Sequence, residues 1–178
     1  MSLQKLVKNA EKIELSETDI SKIVDGKVNV ISYEQLFLYT NIDEALGPHK
    51  ALIVLYEVQS HTQGHWSLLY LDDQNTLHFF DPYGLKLDAE IKYIPDFFTL
   101  DNKGEQVPHL SYLVEKSGYK LVSNKIQYQK EKKEVQTCGR WCCVRLKFRY
   151  LNEEQFRKLW KKIPADDEVT YLTILYSL

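Results

Sequence analysis

Residues 51–84 read ALIVLYEVQSHTQGHWSLLYLDDQNTLHFFDPYG, and this stretch decides the fold class of the chain. The segment 51–58 is an apolar run rich in β-forming residues, which is typical of a central strand. Segments 65–71 and 76–81 predict two further strands, because the polar residues 72–75 between them have the composition of a hairpin turn. The sequence therefore predicts a sheet whose core is formed by these three strands.

Helical patterns surround this sheet in the sequence. N-cap and stop residues predict helices at 2–13, 17–24, 33–40, 41–46, 86–93, 108–116, 138–151, 153–163 and 166–176. A further strand is predicted at 119–129, after an irregular stretch at 96–106. We expect one α+β domain over residues 1–178, with a helical lobe at 1–48, a sheet at 51–129 and helices at 138–178.

The bulk composition is that of an ordinary globular domain. The chain has 178 residues, 44% of them hydrophobic and 27% charged, with a net charge of −2. No apolar run approaches the roughly 18 residues that span a bilayer, and the first residues lack the apolar core of a secretory signal. The three cysteines lie within six residues, which excludes a disulfide framework and suits a reducing compartment. We expect an intracellular protein that is not in a membrane.

Charge is distributed unevenly along the chain. Residues 120–162 contain 13 Lys and Arg but only 4 Asp and Glu. Such a basic segment can bind nucleic acid or an acidic partner, although basic residues at helical spacing more often form a solvated face. A nucleic-acid partner is therefore a minor alternative.

The segment TCGRWCC at 137–143 carries the candidate nucleophile. Thr137 is a favourable N-cap residue, which places Cys138 at the first position of a helix. A sulfur there faces unpaired backbone N–H groups and the positive end of the helix dipole, which favour the nucleophilic thiolate. Gly139 has no side chain to hinder a substrate. The alternative is a small core residue, and this is our interpretation of Cys142 and Cys143.

A cysteine nucleophile needs an imidazole base, and the imidazole needs an orienting carboxylate. His65 and Asp81 lie at the ends of the two arms of the predicted hairpin, so antiparallel pairing places them side by side. Trp66 would pack beside the histidine and limit water. Each residue alone has a structural explanation, but together with Cys138 they favour a catalytic triad. His61 and His65 share a spacing seen in zinc sites, but they lie in a loop, and we expect neither a metal nor a cofactor.

The blocks Gly-His-Trp at 64–66, Phe-Asp-Pro-Tyr-Gly at 80–84 and Thr-Cys-Gly-Arg-Trp-Cys at 137–142 together resemble the ordered His, Asp and Cys blocks of the adenovirus maturation protease family. The wider group includes the SUMO-specific proteases, and the Cys-Gly-Arg-Trp form is most similar to maturation proteases of virophages and Polinton-type elements. The resemblance covers about residues 30–150. It implies a papain-like cysteine protease fold with a central mixed sheet of about five strands and helices around it.

The resemblance also implies roles for the residues. His65 would be the general base, Asp81 would orient it, and Cys138 would attack the peptide carbonyl. From their positions beside these residues, we expect Trp66 and Gly139 to contact the substrate. A glutamine upstream of the cysteine helps to form the family's oxyanion hole. Gln129 is the favoured match; the alternatives, Gln136 and Gln127, remain open.

The function implied by the resemblance is that of a viral cysteine endopeptidase. Its substrates would be virus-encoded precursor proteins, including capsid components, cleaved in the host-cell cytoplasm, the virus factory or the virion during particle maturation. We expect a monomer. Three alternatives remain: an isopeptidase for ubiquitin or a ubiquitin-like modifier, an acyltransferase that uses the same Cys-His pair and coenzyme A, and a non-catalytic binding module.

Overall fold

The computed structural model describes residues 2–60, 63–94 and 107–178 of the chain. The predicted irregular stretch 96–106 and His61 lie outside these residues.

Five strands in the described part of the chain form one mixed sheet in sequence order. The strands are β1 (Asn29–Ser32), β2 (Ala51–Ser60), β3 (Gln63–Leu71), β4 (Thr76–Phe80) and β5 (Lys120–Ser123). The three central strands pair antiparallel, and the edge strands β1 and β5 run parallel to their neighbours β2 and β4. The predictions of an α+β fold and a five-stranded mixed sheet are confirmed.

The helices surround this sheet. They are α1 (Leu3–Ala10), α2 (Glu17–Ile23), α3 (Ile42–Leu46), α4 (His109–Ser117), α5 (Cys138–Lys147), α6 (Glu153–Lys158) and α7 (Asp166–Tyr176). Two predicted helices, 33–40 and 86–93, are reduced to the 3-10 helices Glu34–Leu38 and Ile91–Tyr93. None of the helices described here has the length and apolar character needed to cross a membrane.

Two predictions about the edges of the sheet were wrong. The front lobe is not wholly helical, because β1 lies within it and pairs with β2. The strand predicted at 119–129 ends at Ser123, where the chain turns away from the sheet. The backbone N–H groups of Tyr128 and Gln129 both donate to the Pro82 carbonyl, at 2.8 and 3.0 Å. Gln129 therefore lies in a loop against the turn that follows β4, and not on a strand.

Burial on both faces of β2 explains its unbroken apolar sequence. Alternate residues of a strand point to opposite faces, so Ile53 and Leu55 pack in one hydrophobic cluster together with α5, and Leu52 and Val54 pack in the other cluster with α3 and α4. Each buried aliphatic side chain contributes about 1.5–3 kcal/mol to this core. Helix α5 packs across β3, which brings its N-terminal residue toward the β3–β4 hairpin.

Candidate active site

The β3–β4 hairpin places His65 and Asp81 together. Leu68 pairs with Phe80 across the hairpin, and this register puts the residue after β4 beside the first half of β3. The Nε2 atom of His65 lies 2.7 Å from Oδ2 of Asp81, and the two residues are 5% and 1% exposed. The hydrogen bond is therefore shielded from water, which strengthens it.

The Asp81 carboxylate is fixed by the turn that follows β4. Its Oδ1 atom accepts the backbone N–H groups of Tyr83 at 2.8 Å and Leu85 at 3.3 Å. Asn124, which immediately follows β5, binds the backbone of Asp81 from the neighbouring strand. The turn after β4 and Asn124 at the end of β5 thus hold Asp81 with its Oδ2 atom directed at His65.

Cys138 is the first residue of α5, is 2% exposed, and lies beside the His65 side chain. Because Nε2 of His65 is bound to Asp81, Nδ1 is the ring nitrogen that remains to exchange a proton with the sulfur. Burial alone would lower the pKa of His65. The charge and hydrogen bond of Asp81, together with Cys138, outweigh burial and raise this pKa well above its ordinary value. At neutral pH the imidazole therefore holds a proton between an acid and a sulfur.

The N-terminus of α5 is anchored by Asp166, the first residue of α7. The Thr137 hydroxyl does not cap the helix as predicted; it donates to Asp166 Oδ1 at 2.6 Å, and the Trp141 indole N–H donates to the same atom at 3.1 Å. Oδ2 of Asp166 accepts the Lys130 backbone N–H at 3.1 Å. One fully buried carboxylate therefore ties both ends of the loop 130–137 to α7. Nothing in the local sequence indicated this role.

Of the three glutamines considered for the oxyanion hole, only Gln129 lies near the paired side chains. It is buried, and its Nε2 atom donates to the Tyr83 hydroxyl at 3.2 Å and to the Val135 carbonyl at 2.9 Å. Both hydrogens of the Gln129 amide are therefore engaged within the protein.

The other two glutamines point elsewhere. Gln127 is exposed, and its amide donates to the Gln129 carbonyl at 2.9 Å. The Gln136 amide donates to the Lys133 carbonyl at 3.1 Å in an exposed position. Neither side chain is directed at the sulfur of Cys138 by these bonds.

Tyr83 is a site residue that the sequence analysis treated only as part of a turn. Its ring stacks on the His65 imidazole, with the ring centres 4.9 Å apart and the planes 19° from parallel. Burial, followed by the negative charge of Cys138, raises the pKa of the Tyr83 hydroxyl above its ordinary value. The phenol is thus packed against the His65 imidazole, and its hydroxyl stays protonated at neutral pH.

The structure places Gly139 in the core and not on a substrate path. A Cβ atom at this position would lie 3.1 Å from the Trp66 ring and 3.3 Å from Leu15 Cβ. The missing side chain therefore permits close packing of α5 on β3, which corrects the expectation that it leaves space for substrate. Trp66 itself is mostly buried, and its indole N–H donates to the Leu15 carbonyl at 3.1 Å.

A cleft of about 700 Å³ begins at the edge of Trp66. Its lining is formed by the α1–α2 connection, the end of β1, the 3-10 helix Glu34–Leu38 and β2, and includes Glu14. Glu14 lies beside Gly64, and burial raises the pKa of its carboxyl from 4.5 to about 7. This cleft therefore reaches Trp66, the residue that follows His65 in the chain.

Cys142 and Cys143 are core residues, as their helical position predicted. The Cys142 thiol donates to the Trp66 carbonyl at 3.4 Å. Burial raises the pKa of Cys142 well above its ordinary value and that of Cys143 to about 12, so both stay protonated. Within residues 2–60, 63–94 and 107–178, no three His, Cys, Asp or Glu side chains form a group that could hold a metal ion.

Two arginines of the basic segment have structural roles. Arg140 donates to the Thr173 hydroxyl at 2.8 Å and to the Ala10 carbonyl at 3.2 Å. Arg145 donates to the carbonyls of Phe148 and Leu151, at 2.8 and 2.9 Å. Arg140 thus links α5 to α7 and α1, and Arg145 holds the turn that follows α5. Both guanidinium groups are buried and are not presented to a polyanion, so part of the positive charge of this segment belongs to packing.

Comparison with known proteins gives one relative over the full length. The chain is 35% identical over 176 residues to "Uncharacterized protein V9" of Sputnik virophage, covering 96% of this chain and 99% of that one. A solved structure, the central domain of the uncharacterized protein Lpg1148 from Legionella pneumophila, is similar with a TM-score of 0.44 at 14% identity, covering 92% of this chain and 94% of that domain. No family model matches the chain.

Proposed function

This chain belongs to the family of the V9 protein of Sputnik virophage, and we propose that it is a cysteine endopeptidase that cleaves virus-encoded precursor proteins during particle maturation. The observation that carries the proposal is the His65 imidazole, which is hydrogen-bonded to Asp81 and lies beside Cys138, the first residue of α5. This order of acid, imidazole and sulfur is what nucleophilic catalysis by a cysteine requires.

The chemistry follows from the protonation of the pair. The Cys138 sulfur attacks the carbonyl carbon of the scissile peptide bond, and the electron pair of the C=O bond moves to the oxygen. As the C–N bond breaks, His65 gives its proton to the leaving nitrogen, and a thioester to Cys138 remains. A water molecule then attacks this thioester while His65 takes the water proton, and the acid product leaves with the sulfur free. The Cys138 backbone N–H, at the start of α5, is a donor to the oxyanion.

The burial of Cys138 supports a preference for small residues at the scissile bond. Because only 2% of this residue is exposed, a peptide must bring its carbonyl close to the sulfur without a bulky side chain. Glycine at this position meets that requirement, as it does in the maturation proteases that the sequence resembles. The cleft beside Trp66 is where we place one end of the bound peptide.

The viral substrate is supported by the virophage relative. A virophage assembles a capsid inside an infected cell, and precursor capsid proteins are the substrates of the protease family that the sequence resembles. We therefore propose capsid precursors as the substrates, encountered in the virus factory or the virion.

The test is incubation of the purified protein with a purified capsid precursor, with mass spectrometry of the products. We expect defined fragments with the wild type and none with Cys138→Ala. The matched control is Cys143→Ala, which changes a neighbouring thiol in the core and should cleave like the wild type. Equal cleavage by the wild type and Cys138→Ala would contradict the proposal.

Parallel assays test two alternative functions of the same residues. Rapid turnover of conjugates with a C-terminal Gly-Gly, without precursor cleavage, would indicate an isopeptidase. A mass gain on a target protein that depends on coenzyme A would indicate an acyltransferase.

A further inference from the structure

We propose that Tyr83 is a further catalytic residue, whose phenolic O–H donates a hydrogen bond to the oxyanion formed when Cys138 attacks a peptide carbonyl. The inference rests on the peptidase function proposed above. It replaces the direct role that the resemblance implied for Gln129 with an indirect one.

The hydrogen bonds of Gln129 are the first step. One amide hydrogen is bound to the Val135 carbonyl and the other to the Tyr83 oxygen. The opposite orientation of the amide would place its oxygen against the Val135 carbonyl oxygen, and two acceptors cannot bond. The NH2 group of Gln129 must therefore face Val135 and Tyr83. Bound in this way, the Gln129 amide has no hydrogen left for a substrate oxygen.

The second step is the hydrogen of Tyr83. Because the Tyr83 oxygen accepts from Gln129, its own O–H is directed away from that amide. Accepting a hydrogen bond also makes a hydroxyl a stronger donor. The side chain is partly exposed, so a substrate oxygen can reach this hydrogen.

The third step is the placement of the phenol. Its ring is stacked on His65, and its backbone N–H is bound to Asp81 Oδ1 at 2.8 Å, so the residue is built into the same turn that orients the histidine. Since His65 is the base for Cys138, a donor held against its imidazole lies on the side of the site where the sulfur attacks, and we assign it to the oxyanion.

In the reaction, Tyr83 donates a hydrogen bond and transfers no proton. The sulfur–carbon bond forms, the electron pair of the carbonyl moves to oxygen, and the Tyr83 hydrogen bond shortens as charge grows there. The pair returns when the C–N bond breaks, and the proton for the leaving nitrogen comes from His65. Gln129 is then a positioning residue that acts through Tyr83.

The test is Tyr83→Phe, which retains the ring and its stacking on His65. We expect kcat to fall about 100- to 1000-fold, as for loss of one oxyanion donor, with KM little changed. The affinity of a peptide aldehyde, which forms a tetrahedral adduct on the cysteine, should fall by a similar factor. The rate of alkylation of Cys138 by iodoacetamide should stay at the wild-type value, since it involves no oxyanion and reports an intact Cys-His pair. Tyr150→Phe, at an exposed tyrosine, is the matched control.

The outcomes separate this inference from the proposed function. Wild-type kcat and aldehyde affinity in Tyr83→Phe would overturn the role of Tyr83 and leave the peptidase intact. A fall in kcat with equally slowed alkylation would assign Tyr83 to the Cys-His pair and also overturn it. If the wild-type protein hydrolysed no substrate in all of these assays, both proposals would be overturned.

Discussion

Asn124 holds the backbone of Asp81 on both sides. Its Oδ1 atom accepts the Asp81 N–H at 2.8 Å, and its Nδ2 atom donates to the Asp81 carbonyl at 2.7 Å. Nδ2 also donates to the Ile126 carbonyl at 3.1 Å. One amide thus joins the end of β5 to the end of β4 and sets where the carboxylate of Asp81 lies.

Replacing this amide should therefore cost both stability and activity. Asn124→Ala leaves the buried N–H and C=O of Asp81 without a partner, at about 1–3 kcal/mol for each group. The freed turn shifts the carboxylate away from His65, so we expect a lower free energy of unfolding in urea and a fall in kcat of at least tenfold.

The matched control is Asn152→Ala. Asn152 caps α6, a helix without candidate site residues, through a bond to the Gln155 N–H at 2.9 Å, and losing such a cap costs about 1 kcal/mol. This variant should be destabilised with normal kcat. A kcat for Asn124→Ala no lower than that of Asn152→Ala would show that Asn124 does not position the acid.

Asp81→Asn should change the pH dependence as well as the rate. Asp81 raises the pKa of His65 against burial, which lowers it, so without the carboxylate charge this pKa falls. The imidazolium is then lost at a lower pH, and the alkaline limb of the kcat profile should move to lower pH. We expect kcat at its optimum to fall about 100- to 10,000-fold, as in other triads that lose the acid.

A second His-Asp pair on the same hairpin provides the control for this measurement. Asp72 Oδ2 lies 2.8 Å from His78 Nε2, near the turn at the opposite end of the strands. Asp72→Asn should leave both the rate and the pH profile at wild-type values. An unshifted profile in Asp81→Asn would contradict the proposed pairing.

Local sequence predicted the pairing of His65 with Asp81 because the length of a hairpin turn determines which residues of the two strands lie opposite each other. The turn at 72–75 is enough to place the two arms opposite each other. Helix α5 was likewise predicted from local sequence. Thr137 as a favourable N-cap residue placed Cys138 at the first helical position, where the structure has it.

The supporting residues could not be found in this way because their partners are distant in sequence. Asn124 is 43 residues from Asp81, and Asp166 is 29 residues from Thr137. Each occupies a position, after a strand or at the start of a helix, where Asn and Asp are common without such a role. Only the parallel pairing of β5 with β4 and the packing of α7 on α5 give them partners.

Gly139 shows a different limit. A glycine next to a nucleophile fits both an open path for substrate and a close contact between a helix and a sheet, because both require the absence of Cβ. The sequence does not distinguish the two, whereas the 3.1 Å approach to the Trp66 ring does.

Gly64 is the glycine whose substitution should affect the site most. A Cβ atom there would lie 2.4 Å from the Tyr56 carbonyl oxygen and 2.7 Å from Leu55 Cδ1. Because a backbone oxygen cannot move aside without shifting its strand, Gly64→Ala must separate β3 from β2 next to His65. We expect a loss of about 1–3 kcal/mol in the free energy of unfolding and slower alkylation of Cys138.

Ser67→Ala on the same strand is the control. The Ser67 hydroxyl is buried and has no hydrogen-bond partner among the described residues, so its removal should be neutral or stabilising. Wild-type stability and alkylation in Gly64→Ala would mean that the two strands can separate without moving the histidine.

Glu14 should make the stability of the protein depend on pH. Burial raises the pKa of this carboxyl from 4.5 to about 7. A raised pKa means that the folded protein holds the proton more tightly than the unfolded chain, so the stabilisation is complete below about pH 4.5 and is lost as the pH rises through 7. Glu14→Gln cannot ionise and keeps a side chain of the same shape. Its free energy of unfolding in urea should match that of the wild type at pH 4 and exceed it at pH 8. Glu17→Gln, which removes a charge from an exposed position on the same cleft, should not reproduce this gain. Parallel pH profiles for the wild type and Glu14→Gln would show that the carboxylate beside Gly64 is ionised in the folded protein at little cost.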